Sequence, residues 1–234
     1  MQTVRFVVNN QPLLVHIRDE ADQSIAAEIF SLHEYRRAEG TLRETANTIV
    51  DGGAHSGMFT LYARRLNPTV PIIAIEPEKN NLELLKKHLV ENNVNDVRVI
   101  AGALARDYGK RKLIITENSH NHRLLLPAEN SDRKNVVVQG FSLRKIIQLC
   151  PNTKIGLLKL DIEGGEYEVF EGATDEDFSR ISTIIMEYHE HGGQKHQAIE
   201  IRLREQGFGV QTFPSKFNKS MGFLWAVNKR TYAK

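Results

Sequence analysis

Cysteine is almost absent from this 234-residue chain: Cys150 stands alone. That excludes an internal disulfide and fits a reducing compartment. Long hydrophobic runs are missing too. No apolar stretch approaches the roughly 20 residues that a spanning helix needs, and the opening MQTVRFVVNNQPLL lacks the basic-then-apolar order of a secretory leader. Neither sign of charge dominates, because 31 Lys+Arg face 29 Asp+Glu for a formal net charge of +2. Composition therefore implies no membrane partner and argues against nucleic acid. Repeats, low-complexity tracts and linkers are also lacking. What remains, 41% hydrophobic and 26% charged, excludes collagen-like, disulfide-stapled and disordered classes. The expectation is a soluble, cytoplasmic globular protein with one sizeable core.

Residues 4–8 and 13–17 are β-rich runs around Asn9-Asn10-Gln11-Pro12 and predict a hairpin. Ile25, Ile29 and Leu32 then follow the i, i+4, i+7 spacing of an amphipathic helix running from Asp22 to near Gly40. After Asn47 strand and helix alternate: a strand at 48–51, a helix carrying Phe59, Tyr62 and Leu66, a strand at 71–76, a helix over 79–92 and a strand at 97–104. Residues 117–135 read as a polar surface loop. Ser142 caps a short helix, strands at 155–161 and 181–189 follow, and a helix over about 195–206 leads into a closing antiparallel pair. This order predicts an α/β fold with a mostly parallel sheet and helices on both faces. It is expected to be one domain, with the hairpin and helix of residues 1–46 packed onto a body spanning 47–234.

The sharpest local pattern is Asp51-Gly52-Gly53-Ala54-His55-Ser56-Gly57, where a buried strand ends on an acid and a small-residue turn opens a helix. Such a turn lets the backbone approach a ligand without side-chain clashes. A dinucleotide fingerprint would need glycine at 54, where alanine stands, so a nicotinamide cofactor is disfavoured. An acid directly before the glycines suits the ammonium of a methionine moiety, reached directly or through water. Glu76 closes the next strand, where a carboxylate accepts hydrogen bonds from ribose hydroxyls. The plainer alternatives are a tight turn capped by Asp51 and a helix-dipole charge at Glu76 worth up to about 1 kcal/mol. Together the two acids describe a nucleoside site with Gly52, Gly53, Ala54, His55 and Gly57 around it and His55 in the first turn of the helix. S-adenosylmethionine enzymes often carry an adenine-binding acid at the end of strand three. Here that stretch is Ala101-Gly102-Ala103-Leu104, so adenine falls to backbone near Ala103 or to a neighbour such as Asp107.

A second pattern carries chemistry. Strand four ends Lys159-Leu160-Asp161-Ile162-Glu163-Gly164-Gly165-Glu166, and strand five ends Glu187-Tyr188-His189. Alternation puts Lys159 and Asp161 on one face, with Glu163 in register if the strand extends; Glu187 and His189 likewise share a face. A lysine in an apolar strand demands a nearby acid. Ligands of open parallel sheets bind beyond the strands' carboxyl ends, so Asp161, Glu163, Glu187 and His189 are expected in one crevice with Asp51 and Glu76. A carboxylate or His189 could accept a substrate proton. Alternatively, Asp161, Glu187 and His189 could hold a divalent metal. Glu163 and Glu166 could also simply favour the start of the following helix.

VDGGAHSGMFTLYA, AIEPEKNNLELLKKHLVENN, LLKLDIEGGEYEVFEGA and IIMEYH resemble the FkbM family of S-adenosylmethionine-dependent methyltransferases, over roughly residues 47–190. The resemblance implies a Rossmann-like class I methyltransferase sheet of seven strands, the last antiparallel, and O-methylation of a small-molecule or sugar-containing acceptor. It also implies that Asp51, Gly53 and Gly57 form the cofactor loop, that Glu76 binds ribose, and that Asp161 and Glu163 face the transferred methyl group. His55 departs from the asparagine common at that place. Base N-methylation is disfavoured by the absence of an Asn-Pro-Pro-Tyr motif. RNA ribose or protein acceptors, a nicotinamide-dependent oxidoreductase and a non-catalytic nucleoside-binding module remain as alternatives.

Overall fold

The computed structural model of the chain describes residues 1–116, 122–125, 133–216 and 218–232. Strands β1 (Gln2–Val8) and β2 (Gln11–Ile17) form the expected antiparallel hairpin, with Val4 opposite Val15. Its two-residue turn places Asn9 and Asn10 at φ 51° and 59°, left-handed values that asparagine tolerates and that match strand twist. Helix α1 (Glu20–Ala26) starts at Asp19, whose side chain accepts from the Asp22 N–H.

The single helix expected from Asp22 to Gly40 is not formed. The chain passes through a π-turn at Ala27–Ser31, reverses at His33 with φ 52°, makes a 3-10 turn over Glu34–Ala38 and resumes as α2 (Glu39–Glu44). Packing decides this: Leu32, the third position of the apolar stripe, is 67% exposed, whereas Tyr35 is buried with its ring 4.9 Å from Phe59 and 5.9 Å from Phe223.

The alternating region follows as β3 (Thr48–Gly52), α3 (Met58–Leu66), β4 (Ile72–Glu76), α4 (Lys79–Glu91) and β5 (Val97–Ala101). The strand expected over 97–104 breaks at Gly102. A Cβ there would lie 2.5 Å from the Gln139 carbonyl, so only glycine lets the chain leave one sheet for another. It continues as β6 (Ala103–Leu104), β7 (Gly109–Ile114), β8 (Arg123–Leu124) and β9 (Asn135–Phe141), a second, four-stranded sheet in the order β6-β9-β7-β8. Of the loop expected at 117–135, residues 117–121 and 126–132 lie outside the described residues; Arg123 and Leu124 are strand.

Helix α5 (Leu143–Leu149) is capped by Ser142 as expected and closes on Cys150. Then come β10 (Ile155–Leu160), α6 (Glu166–Gly172), α7 (Asp175–Ser179), β11 (Ile181–His189), α8 (His196–Glu205), β12 (Phe208–Pro214), β13 (Met221–Asn228) and α9 (Lys229–Tyr232). The main sheet has seven strands in the order β12-β13-β11-β10-β3-β4-β5. It is parallel except for β13, which runs against both β11 and β12. Alternation along the strands fills two cores. Val50, Ile73, Leu158 and Ile184 face α5 to α8, while Ile49, Ile72, Leu157 and Ile185 meet Leu13, Val15, Ile29, Tyr35 and Leu42 of the N-terminal segment. Among the described residues, no helix is long and apolar enough to cross a membrane.

One polar pair lies inside the second core. Lys159 sits directly beside Asp51 in the parallel β10–β3 ladder. Its Nζ stands 3.4 Å from Asp51 Oδ1 and donates to the Gly53 carbonyl at 2.8 Å, while Thr60 donates to Asp51 Oδ2 at 2.7 Å. Burial opposes the lysine charge, but Asp51 and Asp161 outweigh it and its pKa is raised.

Two outcomes are expected from this packing. A chain beginning at residue 47 exposes the face that Leu13, Val15, Ile29 and Tyr35 cover, and should lose its cooperative thermal transition; a sharp transition retained would make residues 1–46 dispensable. Lys159→Met should cost about 3–5 kcal/mol in denaturant titration by stranding the buried Asp51 carboxylate, and adding Asp51→Asn should recover part of it.

Candidate active site

The loop after β3 is shaped by close approach. Gly53 adopts φ 71°, and a Cβ there would lie 1.8 Å from the Asp161 carbonyl, so no other residue fits between β3 and β10. The Gly53 and Ala54 N–H groups both donate to the Ile75 carbonyl, at 3.1 and 3.0 Å. His55 stands in the turn at φ 49° rather than in the first turn of α3, which begins at Met58 after Gly57 at φ 81°. The helix starts three residues later than expected because its first residues wrap around Glu76. The His55 N–H donates to Glu76 Oε2 at 2.8 Å, and Oε1 accepts from the Glu78 N–H at 2.9 Å and the Asn81 amide at 3.3 Å. Burial nevertheless pushes the Glu76 carboxyl up to about 7, against these three hydrogen bonds.

The N-terminal segment braces this loop. Arg18 pairs with the fully buried Asp22 at 2.7 Å and donates to Asn81 at 2.8 Å, and Asp22 lies 3.6 Å from His55 Nδ1. His88, fully buried in α4, donates from Nδ1 to the Ser56 carbonyl at 2.7 Å and accepts the His16 N–H at Nε2, 2.8 Å away. Those partners define a neutral imidazole, and burial lowers its pKa accordingly.

Beyond the strand ends lies a cleft, about 640 Å³ including its solvent mouth. Of the residues expected there, Gly53, His55, Glu76, Ala103, Asp161 and Glu163 line it. Asp51, Gly52, Ala54 and Gly57 do not. Asp51 is fully buried behind the loop with its oxygens turned to Thr60 and Lys159, Gly52 is pressed between Leu104 and Leu160, and Gly57 faces Leu85. The Asp51 carboxylate is thus already engaged by Thr60 and Lys159 behind the loop. Asp107 lies outside the cleft as well, exposed and paired with Arg111 at 2.6 Å. The apolar wall comes instead from Ile25, Leu104, Leu113 and Leu124, residues of α1 and the second sheet that the sequence did not single out.

The acids gather at the other end. β10 stops at Leu160, so Glu163 is not delivered by strand register but by a turn in which it holds φ 55°. Such a left-handed glutamate is strained and is held by its surroundings. His189 Nε2 lies 3.6 Å from Glu163 and 3.8 Å from Glu187, and its Nδ1 lies 3.7 Å from Glu166. Asp161, Glu187 and His189 present ligand atoms within 4.8 Å of one another. Burial together with Asp161 and Glu166 raises the Glu163 carboxyl to about 8, opposed by His189. Burial and Asp161 do the same to Glu187, again to about 8. For His189 burial works against the charge, but the nearby carboxylates of Glu166, Glu163 and Asp161 prevail and push it up to about 10. No local pattern marks Glu28, Glu34 and Tyr35 as part of this field, yet Glu28 adds to Glu187, Asp161 acts on Glu34, and Asp161 and Glu187 act on the buried Tyr35 phenol.

Glu163 and Arg123 line a second, polar pocket as well, shared with His189, Asn218 and Ser220. One continuous crevice thus runs from Glu76, past Asp161 and Glu163, to His189.

Comparison with known proteins places this geometry. A family model described as the methyltransferase FkbM domain matches residues 51–210. Methyltransferase sdnD of Sordaria araneosa is 28% identical over 217 residues, covering 80% of this chain and 82% of that protein. The 31-O-demethyl-FK506 methyltransferase FkbM of Streptomyces tacrolimicus is 26% identical over 229 residues, covering 86% and 87%. Among solved structures, a methyltransferase FkbM from Methylobacillus flagellatus superposes with a TM-score of 0.52 at 15% identity, over 90% of this chain and 55% of that one. An rRNA methylase from Streptococcus thermophilus gives 0.52 at 9% identity, over 83% and 95%, a likeness of fold alone. The class I sheet, the glycine loop braced on Glu76 and the matched domain agree, and the chain belongs to the FkbM family of S-adenosylmethionine-dependent methyltransferases.

Proposed function

We propose that the chain methylates a hydroxyl of a small-molecule or sugar-containing acceptor, with S-adenosylmethionine seated between Gly53 and Glu76 and the acceptor in the polar pocket beside His189. The observation that carries this reading is that two adjoining pockets, sharing Arg123 and Glu163, have a buried carboxylate at one end and clustered proton acceptors at the other. The residues present suit the cofactor. Glu76 offers carboxylate oxygens to ribose hydroxyls, Leu104, Leu113 and Leu124 offer an apolar wall to adenine, and Gly53 leaves room where a Cβ would stand. Bound there, the cofactor supplies an electrophilic methyl group on a sulfonium.

Transfer of that methyl to a hydroxyl oxygen would form the O–C bond as the S–C bond breaks, leave a neutral thioether and release one proton to a residue of the site. Glu163 borders both the cofactor cleft and the polar pocket, so it is the group positioned to take that proton. Asp161, Glu187 and His189 surround the point of transfer, and Asp51 acts from behind the loop by holding Lys159 against the Gly53 carbonyl. The name of the Streptomyces relative puts its methyl group on an oxygen, which supports a hydroxyl acceptor here. Residues 1–46 serve as part of the same unit, since Arg18 and Asp22 brace the loop that meets the cofactor. The lone cysteine, buried and unpaired, supports a cytoplasmic setting.

Calorimetric titration with S-adenosylhomocysteine should give micromolar binding, and Glu76→Ala should lose about 1–3 kcal/mol of it, roughly 5- to 150-fold. No binding by the folded protein, or full affinity in Glu76→Ala, would refute the cofactor placement. Glu163→Gln should keep that affinity while slowing label transfer from methyl-tritiated cofactor to hydroxylated acceptors by about 10²–10⁴-fold. Label arriving in RNA or protein instead would replace the acceptor class.

A further inference from the structure

The crevice gathers more carboxyl groups than proton transfer requires. Asp161, Glu163, Glu166 and Glu187 meet at the ends of β10 and β11, and Glu28 and Glu34 from the N-terminal segment add to the same field. Lys159 offsets only part of this, because its Nζ is shared between Asp51 at 3.4 Å, the Gly53 carbonyl at 2.8 Å and Asp161 at 3.9 Å. His189 stands at the centre of the group, within 4 Å of three carboxylates.

We propose that Asp161, Glu187 and His189 bind a divalent cation of the Mn²⁺ or Mg²⁺ type. Their ligand atoms already lie within 4.8 Å of one another. Ligands at about 2.2 Å from one ion stand roughly 3–4.5 Å apart, so small side-chain rotations close the set. A mixed set of two carboxylates and one imidazole is hard enough for Mg²⁺ and suits Mn²⁺ better, because the nitrogen ligand is less suited to Mg²⁺.

A second, independent observation supports a ligand role for the histidine. Glu166 is fully buried behind it; its Oε1 accepts the Ile162 N–H at 3.1 Å and faces His189 Nδ1, while its Oε2 has no hydrogen-bond partner among the described residues. A dry carboxylate with a free oxygen is costly unless something claims it. His189 Nδ1 is likewise without a hydrogen-bond partner among the described residues and lies 3.7 Å from Oε1, so a small ring rotation would let Nδ1–H donate there and leave Nε2 on the side of Glu187, which is how carboxylates orient metal-binding imidazoles. Glu163 is left outside the ligand set and keeps its place as proton acceptor.

The ion would lie where the cleft meets the polar pocket, since Asp161 lines the first and His189 the second. There it would hold an acceptor hydroxyl and ease its deprotonation. That role rests on the methyltransferase reading; the site itself does not.

The test is a Mn²⁺ titration of the full chain, with free Mn²⁺ read by electron paramagnetic resonance and S-adenosylhomocysteine affinity measured in parallel by calorimetry. One saturable site per chain is expected. Asp161→Asn and Glu187→Gln, both close in shape to the parent, should each weaken it at least 10-fold, and Glu166→Gln should weaken it about 10- to 100-fold through the histidine. The Glu187→Gln variant should retain its S-adenosylhomocysteine affinity, which shows it folded. Absence of saturable binding, or binding unchanged in both ligand variants, would overturn the metal site while leaving the methyltransferase reading intact. Mn²⁺ bound without S-adenosylhomocysteine would uphold the site and overturn the reading.

Discussion

The buried contact between Lys159 and Asp51 is the constraint on which the rest of the crevice depends. A salt bridge at this depth adds little net stability, because desolvation consumes most of its Coulomb energy. What it sets is register. The two residues lie side by side in the β10–β3 ladder, and a slip of either strand by one position would turn its charge into the opposite, largely apolar core and leave the other charge unpaired. With register fixed, Gly53 comes against the Asp161 carbonyl, and the lysine ammonium ties the Gly53 carbonyl to the same point. The glycine loop and the start of the acid cluster, separated by more than a hundred positions in sequence, are thereby held at one distance.

The N-terminal segment completes the crevice from the other side. Arg18 reaches Asn81, which donates to Glu76, while Asp22 faces His55, whose N–H also donates to Glu76. Two routes from one helix start thus converge on a single carboxylate. Further along, the reversal at His33 lays Tyr35 between Phe59 and Phe223 and brings Glu28 and Glu34 toward the acids of β10 and β11. A continuous helix could not do this, since Tyr35 would leave the face that Ile25 and Ile29 bury.

This explains which parts were legible in the sequence. Glu76, Asp161, Glu187 and His189 sit at strand ends in a parallel sheet, and period-two alternation with the Asp-Gly-Gly and Asp-Ile-Glu-Gly-Gly-Glu patterns is enough to find them. Lys159 announced its need for an acid because it interrupts an apolar strand. The remainder depends on contacts without a local pattern. The β7 and β9 strands escaped because GKRKLI carries charges along most of its length and NVVVQGF leaves Val136 and Val137 exposed, so neither sequence shows a clean apolar alternation. Asp51 looked like a ligand contact because the sequence shows that it ends a strand and not which way its carboxylate turns. Glu163 looked like a strand extension, when a left-handed turn supplies it. Glu166 gave the appearance of a helix-start charge, and only burial distinguishes it from one.

The two ends of the crevice make opposite electrostatic demands, and the chain separates them. Ribose and adenine are neutral, and the Glu76 end is correspondingly apolar, with a carboxylate already held by three hydrogen bonds. In the proposed placement the cationic sulfonium would lie near the acids beyond Asp161, which would attract it more strongly than the neutral thioether left after transfer. The same acids repel an oxygen that is losing its proton. A proton acceptor alone does not lift that penalty, because taking the proton leaves the negative charge in place on the attacking oxygen. Either the proton leaves late, after the methyl has begun to move, or positive charge stands beside the oxygen. His189 is the group that can supply the second condition, as an imidazolium held by Glu166 or as a ligand to a cation, and in both cases the buried glutamate behind it determines which nitrogen faces the reaction.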